Sequence, residues 1–370
     1  MKTQLSAYEL GYLVKELQQL VGGKIARVYQ PQKKKLSLQI HIPSKGKQIL
    51  NIFLPGFLYL SEGKMVNPDK PFGFCTFLRK HIENNRIESI EQDGFERIVK
   101  IVLQSKEKKR ILVIELFGKG NILLCEEDYK IISVLENQKM KERSLLGGLP
   151  YKKPQSGVNI DDLQEVTDAL NNSTKENVEL MIAVDLGLGG LLAKELCLMC
   201  KFEPTVKIPK FGVMRLFEAL KEIRERKSNP RIIYEDKIID VVPVEFLTYK
   251  NSNQHTAKSF SEGLSKLVGL SLENEVSSEK EKTYSGEMKK VQNLLDKQKK
   301  QLKAIEDGVD LNTKKADKLY EQYQVVSEAL HDVKTVVDQK MDWDEIKERF
   351  KDHKVVKEVD AKEKKVYVEL

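Results

Sequence analysis

Leu10, Leu13, Val14, Leu17 and Leu20 recur at three- and four-residue steps, the period of one helix face. Ser6-Ala7-Tyr8-Glu9 ahead of them has the form of a capping box: the hydroxyl meets the Glu9 amide and the carboxylate reaches back. Gly22-Gly23 stops the helix. The period then changes. Residues 24–29, 36–42 and 48–53 read as strands, the first two parted by the basic Lys33-Lys34-Lys35. Residues 72–82 predict a short helix with Phe74, Phe77 and Leu78 inward and Arg79-Lys80 outward. Four strands follow at 86–92, 96–103, 110–116 and 121–125, with a basic turn over 106–110 and a further strand at 129–135. Many short strands with one or two helices predict an α+β domain built on antiparallel sheets. It ends where Pro150, Pro154, Ser156 and Gly157 loosen the chain.

Beyond that point the pattern turns helical. Residues 161–171 predict one helix. Residues 180–184 lead into Asp185-Leu186-Gly187-Leu188-Gly189-Gly190 and then a helix over 191–200, a helix-hairpin-helix pattern. Its glycines let backbone approach a phosphate, and the second helix presents amides at its start. Gly187, Gly189, Gly190 and Lys194 are therefore candidate phosphate contacts, although a tight helix–helix turn with no ligand explains the same pattern. A helix at 211–226 and a hairpin at 232–234 and 237–246 follow. From Tyr284 to Val337 an apolar stripe steps by four and three, through Leu295, Leu302, Ile305, Val309, Leu319, Val326 and Leu330, with only Gln298 and Asn312 polar. At 1.5 Å per residue this helix would be roughly 80 Å long, and it cannot bury its seam alone. Asp342-Trp343-Asp344-Glu345 reads as a second capping box, opening a helix with Trp343, Ile346 and Phe350. A hairpin around Asp360-Ala361-Lys362 closes the sequence. The chain stops inside its last strand, as expected of a piece of a longer protein. The expected domains are 1–155, 156–278, 279–340 (the coiled-coil helix) and 341–370 (the start of a small α/β domain).

The 40% hydrophobic content of the 370 residues allows real cores, and 32% charged residues fit a long solvated helix. With 63 Lys+Arg against 56 Asp+Glu, the net charge is +7. That suits phosphate-bearing partners and an ordinary basic protein alike. No apolar run approaches the roughly 20 residues that cross a bilayer, and the first residues form no signal segment, so a cytoplasmic protein without membrane contact is expected. Four cysteines are too few for a disulfide framework. Cys197 and Cys200 form a lone C-x-x-C and read as two small apolar residues on a helix. The five histidines are scattered, and there is no G-x-S-x-G, P-loop or Cys/His pairing. No catalytic residue, metal or cofactor is expected.

Several stretches, in order, resemble the NFACT family: YELGYLVKEL through Leu17, GKIARVYQPQ from Gly23, FCTFLRKHI from Phe74, RIESIEQDGFERIV from Arg86, ELFGKGNILL from Glu115, Tyr151-x-x-Pro154, and DLGLGGLLAKELC from Asp185. The coiled coil with Tyr320 and Tyr323, and then 343–346, keep the family order. The resemblance implies an N-terminal domain similar in fold to that of formamidopyrimidine-DNA glycosylases. A helix-hairpin-helix domain, an interrupted coiled coil with a middle domain at its tip, and a C-terminal RNA-binding domain would follow. It implies a ribosome quality control factor that binds the large ribosomal subunit with stalled peptidyl-tRNA. Such a factor recruits tRNA for untemplated C-terminal alanine tailing, while the ribosome forms the bond. The family's tRNA-linked positions fall on Glu9, Glu96 and Arg97, with Glu standing where the family usually has Asp. Arg79 and Lys80 join them as candidate tRNA contacts. Glu9 is equally explained by its cap, and Glu96-Arg97 by an ion pair. The implied partners are tRNA, rRNA and the large subunit, with a homodimer through the seam. Two other functions compete. A DNA glycosylase would resemble enzymes that attack with an N-terminal proline beside a Glu, but this chain begins Met1-Lys2 and has no proline before Pro31. Fibronectin binding at a cell surface is implied only by the family's older name.

Overall fold

The computed structural model describes residues 1–61, 63, 67–106, 108–154, 157–203, 212–360, 363 and 365–369, with the side chains of 270–287 outside the description. The expected helix start at Phe211, part of the basic turn over 106–110, the turn residues Ala361-Lys362 and the terminal Leu370 lie outside the described residues. Two compact units divide the chain, Met1–Asn274 and Glu275–Leu370.

The first unit opens on α1 (Ala7–Leu17), and its capping box forms as expected: the Glu9 amide donates to Ser6 Oγ, and the Glu9 carboxylate accepts from the Ser6 amide. A 3₁₀ turn, Gln18–Leu20, ends it. Strands β1 (Lys24–Gln32), β2 (Lys35–Ile42), β3 (Gly46–Phe53) and β4 (Phe57–Ser61) follow, then α2 (Gly73–Ile82). Strands β5 (Arg86–Gln92), β6 (Ile98–Gln104), β7 (Lys109–Glu115), β8 (Asn121–Glu126) and β9 (Ile131–Val134) complete a nine-stranded antiparallel sheet. Its order is β4-β3-β2-β1-β5-β6-β7-β8-β9. Period-two alternation fills both faces: Leu112 and Ile114 of β7 join the core beneath α1, while Ile111 and Val113 pack on the opposite side with Ile98 and Leu123. Each such side chain contributes about 1.5–3 kcal/mol by leaving water. A short hairpin, β10 (Gln138–Lys139) and β11 (Ser144–Leu145), follows the sheet.

The helical part contains α3 (Leu163–Asn171), capped by Asp162, and α4 (Val178–Leu180), which continues as a π-helical turn, Met181–Asp185. It goes on through α5 (Gly190–Cys200) and α6 (Gly212–Glu225). Strands β12 (Arg231–Tyr234), β13 (Ile238–Val242) and β14 (Asn253–Thr256) form a small sheet in the order β13-β12-β14, with a 3₁₀ turn at Leu247–Tyr249. This sheet joins the two cores. Ile232 and Val241 pack with the large sheet, whereas Ile233 and Val242 pack with α5 and α6 residues. Helix α1 does the same: Leu10, Leu13 and Leu17 face the sheet core, while Tyr8 and Tyr12 enter the helical core and donate to Ile223 O. Residues 1–155 and 156–274 are thus parts of one unit.

Helix α7 spans Phe260–Glu321, and Glu16 of α1 accepts from the Phe260 and Ser261 amides at its start. Here the structure corrects the expectation of one helix running from Tyr284 to Val337. The helix begins much earlier, and it breaks at Gln322 (φ −110°, ψ 27°) before α8 (Tyr323–Asp338). Within α8 the buried face is Ala329, Val333 and Val336, so Leu330 is exposed and Val326 only half-buried. The reason is local packing: α8 builds a small core with α9 (Trp343–Arg349) and a hairpin, β15 (Val356–Asp360) and β16 (Lys365–Val368), through Ile346, Phe350, Val356 and Val359. Asp342 stands at the N-cap of α9 without a side-chain hydrogen bond, so the second capping box does not form. Along α7 the expected seam residues Leu295, Leu302, Ile305, Val309 and Leu319 are exposed.

Candidate functional site

A cleft of about 500 Å³ lies within the first unit. Residues 1–6 and the start of α1 form one side, the β5–β6 turn (Phe95, Glu96, Arg97) another, and the Gly187–Gly190 hairpin with the first turn of α5 a third. Asp240 and Phe246 line it as well. Six of the sequence candidates therefore meet in one place: Glu9, Glu96, Arg97, Gly187, Gly189 and Gly190.

Their chemical settings differ. Glu9 is only 3% exposed, and both carboxylate oxygens are engaged: one by Lys2 Nζ, the other by the Ser6 amide at 2.8 Å and the Ser6 hydroxyl at 2.9 Å. Lys2 Nζ also donates to Asp240 Oδ1 at 2.7 Å and Val241 O at 2.9 Å. Burial alone would lower the Lys2 ammonium, but the Glu9 and Asp240 carboxylates outweigh it and hold the amine above its ordinary value. Tyr249 donates to Asp240 Oδ2 at 2.7 Å, and burial with that carboxylate pushes its phenol up.

Arg97 is half-buried, and its Nη1 donates to Gln4 Oε1 at 2.7 Å. Burial pulls the guanidinium below its usual value while the Glu96 charge opposes that, and the group stays ionised. Glu96 accepts from the Gly157 amide at 3.3 Å. The cation is thus held by a neutral amide, and its charge is left available. On the hairpin, Gly187 (φ +67°) and Gly189 (φ +78°) occupy conformations closed to most side chains. The Leu188 and Gly189 amides close back on Ile182 O and Ala183 O. The first amides of α5 have no acceptor within their own helix, so that end of the helix carries partial positive charge. With Glu9 and Asp240 paired to Lys2, one arginine, the remaining acid Glu96, helix-end amides and the rings of Phe95 and Phe246 suit a phosphate together with a base edge more than a run of phosphates.

The other candidates stand apart from the cleft. Lys194 is exposed further along α5. Arg79 donates from Nε to Val28 O at 2.9 Å with its guanidinium over Tyr29, and Lys80 is exposed on α2. The expected basic turns are partly neutralised: Lys33 and Lys34 pair with Glu136, and Lys109 with Glu88. Cys197 and Cys200 are buried free thiols on α5, pushed up to about 11 by burial. Among the described residues no three His, Cys, Asp or Glu side chains come together as a metal site. Among the described residues no helix is long and apolar enough to cross a membrane. Lys2, Gln4, Asp240 and Phe246 were not legible as site residues. Lys2 meets Asp240 across 238 positions of sequence, and no local pattern marks either.

Fold and cleft together define an α+β protein in which a large antiparallel sheet and a helical part share one polar cleft. The chain belongs to the family of NFACT N-terminal and middle domains, whose profile matches residues 8–366. It is similar to the archaeal Rqc2 homolog aRqcH of Methanocaldococcus jannaschii, 29% identical over 372 residues that cover 96% of this chain and 55% of that protein. It is 30% identical to the Rqc2 homolog RqcH of Bacillus subtilis over 223 residues, 56% of this chain and 39% of the relative. It is 21% identical to the human ribosome quality control complex subunit NEMF over 384 residues, 94% of this chain and 35% of the relative. The chain thus spans about half the length, or less, of these curated relatives. In fold it resembles the N-terminal part of the fibronectin/fibrinogen-binding protein from Streptococcus suis, with TM-score 0.58, 21% identity, and coverage of 71% of this chain and 98% of that one. The fibrinogen-binding protein from Staphylococcus aureus matches equally well.

Proposed function

We propose that this chain is the tRNA-holding part of a ribosome-associated quality control factor. It acts at the large ribosomal subunit in the cytoplasm, contacts tRNA and rRNA, and supports untemplated C-terminal tailing with alanine. The observation that carries this reading is the convergence of Arg97, Glu96 and the glycine hairpin in one cleft. Glu96 and Arg97 are positions that the family resemblance links to tRNA, and the hairpin glycines are those whose pattern suits backbone approach to a phosphate. The names of the relatives, all ribosome quality control proteins or Rqc2 homologs, support the setting. The work proposed is binding and orientation, with no covalent step. Lys2, the amine beside Glu9, is tied to two carboxylates and protonated, which leaves it without the lone pair that imine chemistry needs.

The test is tRNA binding across a salt series. Phosphate contacts make affinity fall with salt, with a slope of about 0.7–0.9 per phosphate. Arg97→Ala should weaken binding and flatten the slope by about that amount. Unchanged affinity and slope in Arg97→Ala would remove the cleft from consideration. Incision of abasic or oxidised-base DNA under single-turnover conditions, lost on a point substitution in this chain, would favour a glycosylase instead.

A further inference from the structure

Residues 1–6 are fixed at several points before α1 begins. The Lys2 amide donates to Ile239 O at 2.7 Å, and the Leu5 amide to Gly56 O at 2.8 Å. The Leu5 side chain is fully buried, and a Cβ at Gly56 would run into the Thr3 carbonyl, so the segment lies directly against that glycine. Lys2 supplies the strongest tie. Its side chain is 8% exposed and reaches Glu9 on α1 and Asp240 on β13 at once. Glu9 is held in turn by Ser6, and Asp240 by Tyr249 and by the Val241 amide. Every member of this cluster has a second partner, so the ammonium fixes the segment between two distant elements.

Two positions further on, the same segment presents Gln4 to the cleft, and Gln4 Oε1 accepts from Arg97 Nη1. Among the described residues this is the hydrogen bond that fixes the Arg97 guanidinium. A neutral acceptor restrains the fork without cancelling its charge, and it leaves the remaining N–H groups for a ligand oxygen. A carboxylate at the same place would form a two-pronged ion pair and consume the cation.

We propose that residues 1–6 form a built-in positioning element for the cleft: Lys2 locks the segment through Glu9 and Asp240, and Gln4 aims Arg97 at a phosphate of the bound RNA. This rests on the reading that the cleft holds tRNA. It adds that the orientation of Arg97 is set by a residue 93 positions away. Gln4 and Lys2 are positioning residues, acting through Arg97.

The experiment combines RNA binding with a readout on the free protein. With the full chain and bulk tRNA, Gln4→Glu should leave the melting temperature unchanged. It should lower affinity about as far as Arg97→Ala does and flatten the salt slope by the same 0.7–0.9 or so of one phosphate contact. In an Arg97→Ala background Gln4→Glu should change nothing further, because its action runs through the guanidinium. Lys2→Met should lower affinity, and Lys2→Arg should restore most of it. In the RNA-free protein the Arg97 Nη nitrogen resonances should be split, as for a guanidinium held still, and should average in Gln4→Leu. Wild-type affinity and slope in Gln4→Glu, with binding lost in Arg97→Ala, would overturn the positioning role and leave the tRNA reading intact. Additive losses in the double variant, or Nη resonances unaffected by Gln4→Leu, would also overturn it. If Arg97→Ala itself binds normally, the tRNA reading fails, and the split resonances then decide whether Gln4 holds Arg97 at all.

Discussion

Placing alanine at each of the three hairpin glycines separates what the backbone requires from what a ligand requires. A Cβ at Gly187, Gly189 or Gly190 would meet nothing within 4 Å, so any cost is conformational and not steric. Gly189 sits at φ +78°, ψ 159°, a region that essentially only glycine visits, and alanine there should cost about 1–3 kcal/mol. Gly187, at φ +67°, takes a left-handed conformation whose cost for alanine is about 1–2 kcal/mol. Gly190 already belongs to the first turn of α5 without a positive φ, and alanine there should be neutral or should stabilise by up to about 1 kcal/mol. The order of stability is therefore Gly190→Ala, wild type, Gly187→Ala, Gly189→Ala. Urea unfolding followed by circular dichroism reads it as shifts in midpoint at constant slope. The same midpoint for Gly189→Ala and Gly190→Ala would refute the argument that backbone conformation holds the hairpin. With stability intact, any loss of tRNA affinity in Gly190→Ala reports on the approach of a ligand to the amides of α5.

Three further outcomes are expected. The exposed stripe of α7, from Leu295 to Leu319, should associate with a second copy of the chain, because contiguous apolar surface of this size is seldom left in water. Sedimentation should give a dimer that Leu302→Glu with Ile305→Glu returns to monomer, and a strictly monomeric wild type at tens of micromolar would sink the idea. Arg143→Met should cost about 3–5 kcal/mol in chemical denaturation, since it strands the buried Glu115 carboxylate that Arg143 grips with two nitrogens; replacing Glu115 by Leu as well should recover much of the loss. Burial, followed by the Arg110 and Lys80 charges, holds His81 below its ordinary 6.5. The unfolded chain therefore takes up the proton first, and stability should be complete above about pH 6.5 and decline as pH falls through the lower folded value. His81→Gln should flatten that stretch of a melting-temperature profile, and an unchanged slope would contradict the assignment.

The elements that sequence made legible are those whose own period determines their burial. Helix α1, strands β1 to β3 and β5 to β8, and helices α2, α5 and α6 lie within a few residues of where the apolar spacing puts them. Four strands were not visible: β4, β14 and the two-residue strands β10 and β11, which are too short to show a period. β4 is a five-residue edge strand immediately after Pro55-Gly56, and β14 reads Asn-Gln-His-Thr with no apolar alternation, joined to β12 by the backbone ladder, by an edge-on contact of His255 with Tyr234 and by a hydrogen bond from Arg231 to Thr256. The heptad seam was real as a pattern, yet its last third is governed by tertiary packing. Once Gln322 breaks the helix, α8 is free to rotate Ala329, Val333 and Val336 onto α9, and a stripe defined by spacing loses its register. Asp342 shows the same limit at the scale of one side chain. A capping box specifies a donor and an acceptor, but not the rotamer that joins them.

The site was half legible for a related reason. Glu9, Glu96, Arg97 and the glycines could be proposed because each sits in a recognisable local stretch, but what each does depends on partners that no local stretch contains. At position 9 glutamate reaches the Ser6 amide with one oxygen and Lys2 with the other, so a single carboxylate caps α1 and neutralises a buried ammonium. Its charge is spent inside the protein. Glu96 carries the same functional group and makes one long hydrogen bond, to the Gly157 amide, beside an arginine whose own partner is neutral. Two glutamates indistinguishable by residue type thus divide the labour: Glu9 sets the frame through Lys2 and Asp240, and Glu96 with Arg97 faces whatever enters the cleft. The division follows from burial and from the acceptor at Gln4, both of which arise only when residues 1–6 are laid against the β5–β6 turn and β13.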